Sequence, residues 1–444
     1  MKKIFKRNNR HSKSYVFLFF FVLISITIGY AVINTTLNIN GNSKLSKNSW
    51  NIHFENIAVT PDSLVSKTTK VIQRASIIDD TSISFDVLLA KPGDMYEFTV
   101  DIVNNGSIDA VLSEVNISGL PEAVGNYFKS SVTYNYNQNI KKGDLLKAGQ
   151  KDTLRILVAC EDDITASDLL SDNLDLNISI NLKYVQDDGT GVSRPKACKR
   201  ATTLHTGSST YTGGNTVEFG QLGTKGTLAV GDAFDCDVNG DGTYDAETER
   251  FYYVTNLNSN TAILIYYNNT DSKGANASAE TTYYTNSYSG PITAETYLPP
   301  TSLWSKVGLI NKKRQIISDN GDNFLKIQTG ADSYIHYKLP IYNYKSAARL
   351  LTYDEYKSVV DSTFLYENTN YANGTAKGYW LETPFNMKTA NMAFLVTGPS
   401  LRPSNVSTST GVRPVIEVPL VDIAYWIKLG KVLIWEEDIK ENYI

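Results

Sequence analysis

The chain has 444 residues, of which 42% are hydrophobic and 20% charged, and this composition excludes a largely disordered protein. The length exceeds the roughly 250–300 residues at which one hydrophobic core stops growing, so we expect two folded domains. Six of the 42 Lys and Arg residues precede residue 15, which leaves 36 against 46 Asp and Glu, a balance of −10. Such an acidic remainder argues against a nucleic-acid-binding protein.

The N-terminus joins a basic leader, residues 1–14, to an uncharged segment, residues 15–34, which reads YVFLFFFVLISITIGYAVIN. As a helix, this segment would span about 30 Å, the thickness of the membrane hydrocarbon. The positive-inside rule then places everything after residue 34 outside the cell. Gly29 and Ala31 also form a small-x-small site for signal peptidase. The segment is therefore either a retained transmembrane helix or a cleaved signal peptide, and both alternatives predict a protein on the extracellular side of a bacterial membrane.

Residues 35–185 contain short segments in which apolar and polar residues alternate. In MYEFTVDIVNNG, the apolar side chains from Tyr96 to Ile102 fall on one face, which is typical of an antiparallel strand. Several such strands predict an antiparallel β-sandwich. Residues 186–197, QDDGTGVSRPKA, lack periodicity and are rich in Asp, Gly, Ser and Pro, which indicates a linker between domains.

Residues 198–444 form the second predicted domain, with a C-terminal tail. FYYVTNL and AILIYYNN predict strands, whereas TSLWSKVGLI and TYDEYKSVVDS predict helices, so this domain is α+β. The whole chain is therefore predicted to be mainly β: a membrane helix, a β-sandwich and an α+β domain.

The most specific local motif is DVNGDGTYD, in which oxygen-bearing side chains occupy alternate positions of a loop, as in calcium-binding loops. Gly242 permits the sharp turn that such a loop needs. The predicted ligands of a structural calcium ion are the side chains of Asp237, Asn239, Asp241 and Asp245 and the carbonyl of Thr243. Thr248 replaces the usual bidentate glutamate, with Glu247 or Glu249 as substitutes. The alternative is a hairpin turn without metal.

The three cysteines are too few for a disulfide scaffold. Cys198 and Cys236 both lie at the start of the second domain and are the predicted disulfide pair, with three free thiols as the alternative. Catalytic motifs are missing from the sequence, because the four His residues are scattered and no H-E-x-x-H, G-x-S-x-G or Walker pattern occurs. We therefore expect a protein that is not an enzyme.

The run PGDMYEFTVDIVNNGSIDAVL, residues 92–112, resembles the camelysin and TasA-type surface and biofilm-matrix proteins of Gram-positive bacteria. The resemblance covers about residues 15–185. It implies a jelly-roll-like sandwich, export, and self-assembly by donation of an N-terminal strand to a neighbouring copy. The metal site of that family finds no match here, since His53 has no second His or Glu at ligand spacing.

Three blocks in the second domain resemble the sulfatase-modifying proteins: ARLLTYDEY at residues 348–356, YWLETP at 379–384 and GVRPVIEV at 411–418. Their order implies a C-type-lectin-like fold. The catalytic thiols of that family and the calcium-sugar motifs of true C-type lectins have no counterpart, so neither chemistry is carried over. The resemblance makes Trp380, Glu382 and Arg413 scaffold residues, with Glu382 and Arg413 a candidate buried ion pair.

In the lectin-like fold, the exposed and variable surface corresponds to residues 386–410 of this chain. Phe394, Arg402 and Asn405 are the candidate ligand-binding residues on it, because aromatic, cationic and amide groups make adaptable contacts. We therefore predict a surface protein that presents a lectin-like domain, on a sandwich stalk or assembly module, to an extracellular glycan or protein. The alternative is a structural matrix or fibre subunit without a specific ligand.

Overall fold

The computed structural model describes residues 48–60, 68–118, 127–134, 138–160, 179–208, 215–224, 227–275, 279–310, 312–319, 321–359, 363–367, 378–385, 391–398 and 400–424. These residues are mainly β, and those from Ser49 onward belong to one compact unit. The predicted leader and membrane segment, residues 1–34, lie outside this description, as does the tail after residue 424. No helix in the described ranges is long and apolar enough to cross a bilayer.

Ten described strands precede residue 187. They are β1 Ile52–Val59, β2 Lys70–Ile77, β3 Ile83–Leu88, β4 Met95–Asn104, β5 Ala110–Ser118, β6 Phe128–Tyr134, β7 Gln138–Asn139, β8 Leu145–Leu146, β9 Lys151–Cys160 and β10 Ser179–Gln186. One sheet has the order β1-β4-β9-β6-β7, a second has the order β10-β5-β8, and β2 pairs with β3. A single hydrophobic cluster draws side chains from all three sheets, so they share one core.

The alternating pattern in β4 places its apolar side chains, from Tyr96 to Ile102, in this core. Side chains on the opposite face of β4 are also buried, and the alternation of apolar and polar residues alone does not predict this. Glu97 on that face is buried and accepts a 2.6 Å hydrogen bond from Arg155 of β9. Burial raises the pKa of Glu97, while the charges of Arg155 and of Lys312, from the second half of the chain, oppose the rise. The buried carboxylate therefore faces cations from both halves.

The described strands after residue 197 are β11 Cys198–Arg200, β12 Thr206–Ser208, β13 Thr216–Glu218, β14 Ala233–Cys236, β15 Arg250–Asn258, β16 Thr261–Tyr266, β17 Lys313–Gln315, β18 Phe324–Gln328, β19 Tyr334–Lys338, β20 Ile341–Asn343, β21 Tyr379–Pro384, β22 Met392–Thr397, β23 Ser400–Asn405, β24 Val415–Pro419 and β25 Ile423–Ala424. The central sheet has the order β24-β16-β15-β14-β11-β25. A three-stranded sheet, β21-β22-β23, and the pairs β12-β13, β17-β20 and β18-β19 surround it.

The described helices of this half are short. They are the α-helices Ile292–Glu295 and Tyr353–Lys357 and the 3₁₀ helices Ser287–Ser289, Thr363–Leu365 and Leu420–Asp422. The helix predicted in TSLWSKVGLI is wrong, because residues 301–306 form turns. Single side chains of this segment reach the core instead, as Trp304 does when its ring packs on the rings of Phe251 and Tyr266.

The segment predicted as a linker, residues 186–197, is attached to both halves of the chain. Arg194 donates hydrogen bonds to Asp152 of β9 at 2.6 Å and contacts Asp422 at 2.8 Å. Its guanidinium also lies 4.4 Å from the centre of the Tyr134 ring. Because Arg194 and Asp422 are buried, these contacts fix the connection between the halves rather than leaving it as a free tether.

Candidate functional site

A cavity of about 360 Å³ opens beside the central sheet. It lies between the end of β15, strand β17, the helix Tyr353–Lys357 and strand β21. Hydroxyl, amide and carboxylate groups dominate its lining, and they include Thr255, Asn256, Gln315, Ser318, Asp354 and Ser358. Its size is within the range of small-molecule binding sites in proteins.

The helix at one wall of the cavity begins with a capping box. The hydroxyl of Thr352 accepts a hydrogen bond from the Glu355 amide at 3.2 Å, and the Glu355 carboxylate accepts one from the Thr352 amide at 2.9 Å. This reciprocal cap fixes the first helical turn. It leaves Asp354 exposed at the rim and Tyr353 half-buried in the wall.

Glu355 is held from behind by Arg349, which is fully buried. The guanidinium donates to both carboxylate oxygens of Glu355, at 2.9 and 2.7 Å, and its Nε donates to Glu417 of β24 at 2.7 Å. Burial alone would raise the pKa of Glu355, but the charge and hydrogen bonds of Arg349 hold it below its usual value. Glu355 is therefore ionised at neutral pH, and its fork of hydrogen bonds allows it little movement.

Arg314 of β17 forms the second half of this floor and lines the cavity. Its Nε lies 3.2 and 3.0 Å from the two carboxylate oxygens of Glu382, and its Nη1 lies 3.4 Å from Glu417. The Tyr344 hydroxyl donates a further 3.0 Å hydrogen bond to Glu382. Two guanidinium groups and three carboxylates thus form one network, which we name the ion-pair floor: Arg314, Arg349, Glu355, Glu382 and Glu417.

The predicted ion pair between Glu382 and Arg413 is not present. Glu382 pairs with Arg314, whereas Arg413 donates to the main-chain carbonyls of Tyr266, Phe364 and Leu365. Burial lowers the pKa of Arg413, which fits a guanidinium satisfied by neutral carbonyl groups. Arg413 therefore ties the 3₁₀ turn Thr363–Leu365 to the sheet instead of ordering the cavity.

Trp380 and the three predicted ligand-binding residues have different surroundings. Trp380 is completely buried, and its indole N–H donates a 3.0 Å hydrogen bond to the carbonyl of Thr281. Phe394 is only 5% exposed, so its assignment to an exposed binding surface is wrong. Strand β22 turns this ring inward, where it lies 4.8 Å from the ring of Tyr353 and supports the cavity wall from behind. Arg402 and Asn405 are exposed on β23, away from the cavity lining.

The predicted calcium loop connects β14 to β15, and its side chains bond to the loop's own backbone. Asp237 accepts from the amides of Gly240 and Gly242, at 2.8 and 3.2 Å, and Asp241 accepts from the Thr243 amide at 2.8 Å. Gly242 adopts the left-handed conformation, with φ of 84°. Over the described residues, no group of three or more His, Cys, Asp or Glu side chains is arranged to hold a metal.

A buried carboxylate closes the base of the same loop. Glu249 accepts hydrogen bonds from the amides of Asp245 and Val238, at 3.0 and 3.3 Å. Burial raises the pKa of Glu249 to about 7, and the charges of Asp237 and Asp241 add to the rise. The disulfide between Cys198 and Cys236 lies at the end of β14, directly before this loop, and the third cysteine, Cys160, is buried and not part of a disulfide.

A second buried polar cluster joins His205, Glu367 and Tyr252. The His205 Nε2 donates a 2.7 Å hydrogen bond to the Ala246 carbonyl, and its Nδ1 bonds to the Glu367 carboxylate. The Tyr252 hydroxyl donates to the other oxygen of Glu367. Burial alone would lower the pKa of His205, but the bond to Glu367 raises it above its usual value. Glu367 and Tyr252 are buried and His205 is half-buried, so the cluster ties the chain near residue 205 to the central sheet.

Reasoning from the sequence does not identify Arg314, Arg349 or Glu417 as site residues. Their partners are 68 to 103 residues away along the chain, except for the pair between Arg349 and Glu355. The T-x-x-E spacing of Thr352 and Glu355 is a signal for a capped helix and points to one wall of the cavity. No comparable signal marks the β17 wall.

Comparisons with known proteins supply no family for the chain: no family model matches it, and no significant match occurs among curated proteins or solved structures. The camelysin/TasA-type and lectin-like resemblances therefore stay predictions.

Proposed function

We propose that the chain is an exported bacterial cell-surface protein that binds an extracellular ligand in the cavity beside the ion-pair floor. One observation carries this proposal: a polar cavity of about 360 Å³ is backed by charged side chains that are all paired and mostly buried. A floor of this kind holds its lining groups in fixed positions before a ligand arrives, which reduces the entropic cost of binding. In this proposal, residues 35–185 are a jelly-roll-like stalk, and residues 198–444 are a lectin-like binding domain.

The lining favours a ligand rich in hydroxyl groups, such as a glycan. Thr255 offers a hydroxyl and Asn256 an amide, which can each donate and accept hydrogen bonds. The Ser358 hydroxyl donates to the Glu355 carbonyl and can still accept a hydrogen bond from a ligand. Glycan hydroxyls have the same dual character. A peptide is the competing ligand, and it fits the exposed β23 surface, where Arg402 and Asn405 are displayed.

Binding of the full chain to a glycan array tests the proposal. The double variant Asn256→Ala, Asp354→Ala should lose binding with little loss of stability, because both side chains are exposed at the cavity. The matched control is Arg402→Ala, Asn405→Ala, which removes two exposed side chains from β23 and should bind as the parent does. If only the control variant loses binding, the ligand binds at β23 and not in the cavity. If the full chain binds no glycan, the glycan assignment is wrong.

We also propose that the loop from Asp237 to Asp245 binds a structural calcium ion. The spacing of its oxygen-bearing side chains and the left-handed turn at Gly242 support this proposal. To bind the cation, Asp237 and Asp241 would give up the hydrogen bonds that they accept from the backbone of the loop.

The competing function is that of a matrix or fibre subunit without a ligand, and one observation favours it: within the described residues, no third strand pairs with the β18-β19 hairpin, and its strand β19 is exposed. Electron microscopy of the purified full chain separates fibres from discrete particles.

A further inference from the structure

The β18-β19 hairpin is a two-stranded sheet with a strongly exposed outer strand. All five residues of β19 are exposed, and the exposed fractions of Tyr334, Ile335 and Tyr337 are 45%, 56% and 43%. Burial begins only at Leu339, where the hairpin meets the rest of the domain. An isolated two-stranded sheet is marginally stable in water, and additional strands stabilise it. Ile335 is the most exposed of these side chains, whereas the Tyr337 ring lies 4.8 Å from the ring of buried Tyr288.

The hydrogen-bond register fixes which main-chain groups face outward. Leu339 donates to the carbonyl of Asn323, and Thr329 donates to that of Ser333, both at 2.8 Å. Antiparallel strands alternate between hydrogen-bonded and non-hydrogen-bonded pairs, so the odd-numbered residues of β19 bond to β18. His336 lies opposite Lys326 in a non-hydrogen-bonded pair. The N–H and C=O of His336 therefore point away from β18, along the edge of the sheet with which no described strand pairs.

The sequence of β19 complements itself when two copies run antiparallel about His336. In that register, Ile335 lies opposite the second copy's Tyr337, and Tyr337 lies opposite the second copy's Ile335, so apolar side chains meet apolar side chains twice. Lys338 falls diagonally across from the second copy's Asp332, which is exposed at the hairpin turn. The charges are thus complementary, and no acidic residue lies in either strand of the hairpin.

We infer that β19 is a homodimerisation edge, at which two copies of the chain join their hairpins into one four-stranded antiparallel sheet around a twofold axis at His336. The two His336 residues form a hydrogen-bonded pair and exchange two main-chain hydrogen bonds. A twofold contact of this kind uses the β19 edge of both copies, so the β19 contact itself joins two copies and no more. It uses a different element from the N-terminal strand donation that the camelysin/TasA-type resemblance implies.

Disulfide trapping tests this geometry in the full chain, purified in detergent. Residues directly opposite each other in a hydrogen-bonded antiparallel pair have Cα atoms about 5.5 Å apart, which is within disulfide range. The variant His336→Cys should therefore form a covalent dimer under mild oxidation. The control is Ser333→Cys, also exposed on this hairpin, because the register places the two copies of residue 333 about 20 Å apart. The parent chain, with Cys160 buried, gives the background.

A second variant tests the side-chain contacts. Adding Ile335→Lys to His336→Cys should reduce dimer formation about tenfold, because symmetry places the charge opposite Tyr337 twice. The fold is unaffected, since Ile335 is mostly exposed in one copy. The inference is overturned if Ser333→Cys cross-links as well as His336→Cys, if Ile335→Lys changes nothing, or if the His336→Cys chain stays monomeric at every concentration. If electron microscopy shows fibres but His336→Cys does not cross-link, the copies assemble through another edge and the inference is overturned.

Discussion

Replacement of Arg349 by Met tests the ion-pair floor most directly. The substitution keeps much of the side-chain volume but removes every hydrogen bond that the guanidinium donates to Glu355 and Glu417, at distances of 2.7 to 2.9 Å. Both carboxylates are buried and would be left with too few cationic partners. Breaking a buried ion pair from one side costs about 3–5 kcal/mol, so we expect the free energy of unfolding to fall by about that amount.

Urea unfolding followed by Trp fluorescence measures this change, because Trp304 and Trp380 are both buried. The control is Lys357→Met, an exposed residue in the last turn of the same helix, where we expect a change of about 0.5 kcal/mol or less.

The loss in Arg349→Met should also shrink as the pH falls. The pKa of Glu355 is held below its ordinary value in the folded chain, so its contribution is present above the ordinary Glu pKa of about 4.3 and is lost as the pH falls through the lower folded value. In the variant, Glu355 loses the charge and hydrogen bonds that lower its pKa, so it binds a proton at a higher pH than in the parent. A deficit below about 1 kcal/mol at pH 7, or one that is unchanged at pH 4, would refute the assigned role of Arg349.

Three further predictions concern the loop, the buried histidine and the export of the chain. Calcium should raise the melting temperature of the full chain, and Asp241→Ala should abolish this shift; a melting temperature indifferent to chelator contradicts the calcium proposal. The pKa of His205 is raised in the folded chain, so its stabilising contribution is present below about pH 6.5 and is lost as the pH rises through the folded value. Relative to His205→Gln, the parent should therefore lose up to about 1.4 kcal/mol of stability per pH unit in that window, and parallel pH profiles would be inconsistent with this assignment. Protease added to intact cells should digest the chain beyond residue 35, and survival of the bulk of the chain until lysis would show that it is not exported.

Local patterns in the sequence predict the mainly β architecture and individual strands such as β4. The alternation of apolar and polar residues identifies β4 because one face of the strand meets an apolar core and successive side chains point to opposite faces. The same pattern does not reveal that Glu97 and Asp101, on the other face, are buried as well. Their burial depends on Arg155 and Lys151 of β9, which are partners in a neighbouring strand and carry no local signal.

The candidate site shows the same limit more strongly. The sequence indicates Glu382 as a floor residue, but its partner depends on how separate sheets pack: Arg314 of β17, which belongs to another sheet, pairs with it, and Arg413 does not. The assignment of Phe394 is wrong because the lectin-like resemblance places residues 386–410 on an exposed surface, whereas the short apolar run MAFLVT within them forms the buried strand β22. In a sequence of this kind, one strand of six residues is enough to move an aromatic ring from the surface to the core.

One segment, residues 312–343, connects the three features that the structure brings out. At its base, Lys312 contributes charge to the environment of buried Glu97, and the Lys313 ammonium lies 3.3 Å from the carbonyl of Gly93, so the segment contacts the N-terminal half. Next to these residues, Arg314 completes the ion-pair floor. Further out, the same chain forms the β18-β19 hairpin. β17 pairs with β20 at the base of the hairpin, so the strand that carries Arg314 and the hairpin belong to one continuous segment. A second copy docked at β19, as we propose, would therefore contact the same segment that carries Arg314 to the cavity.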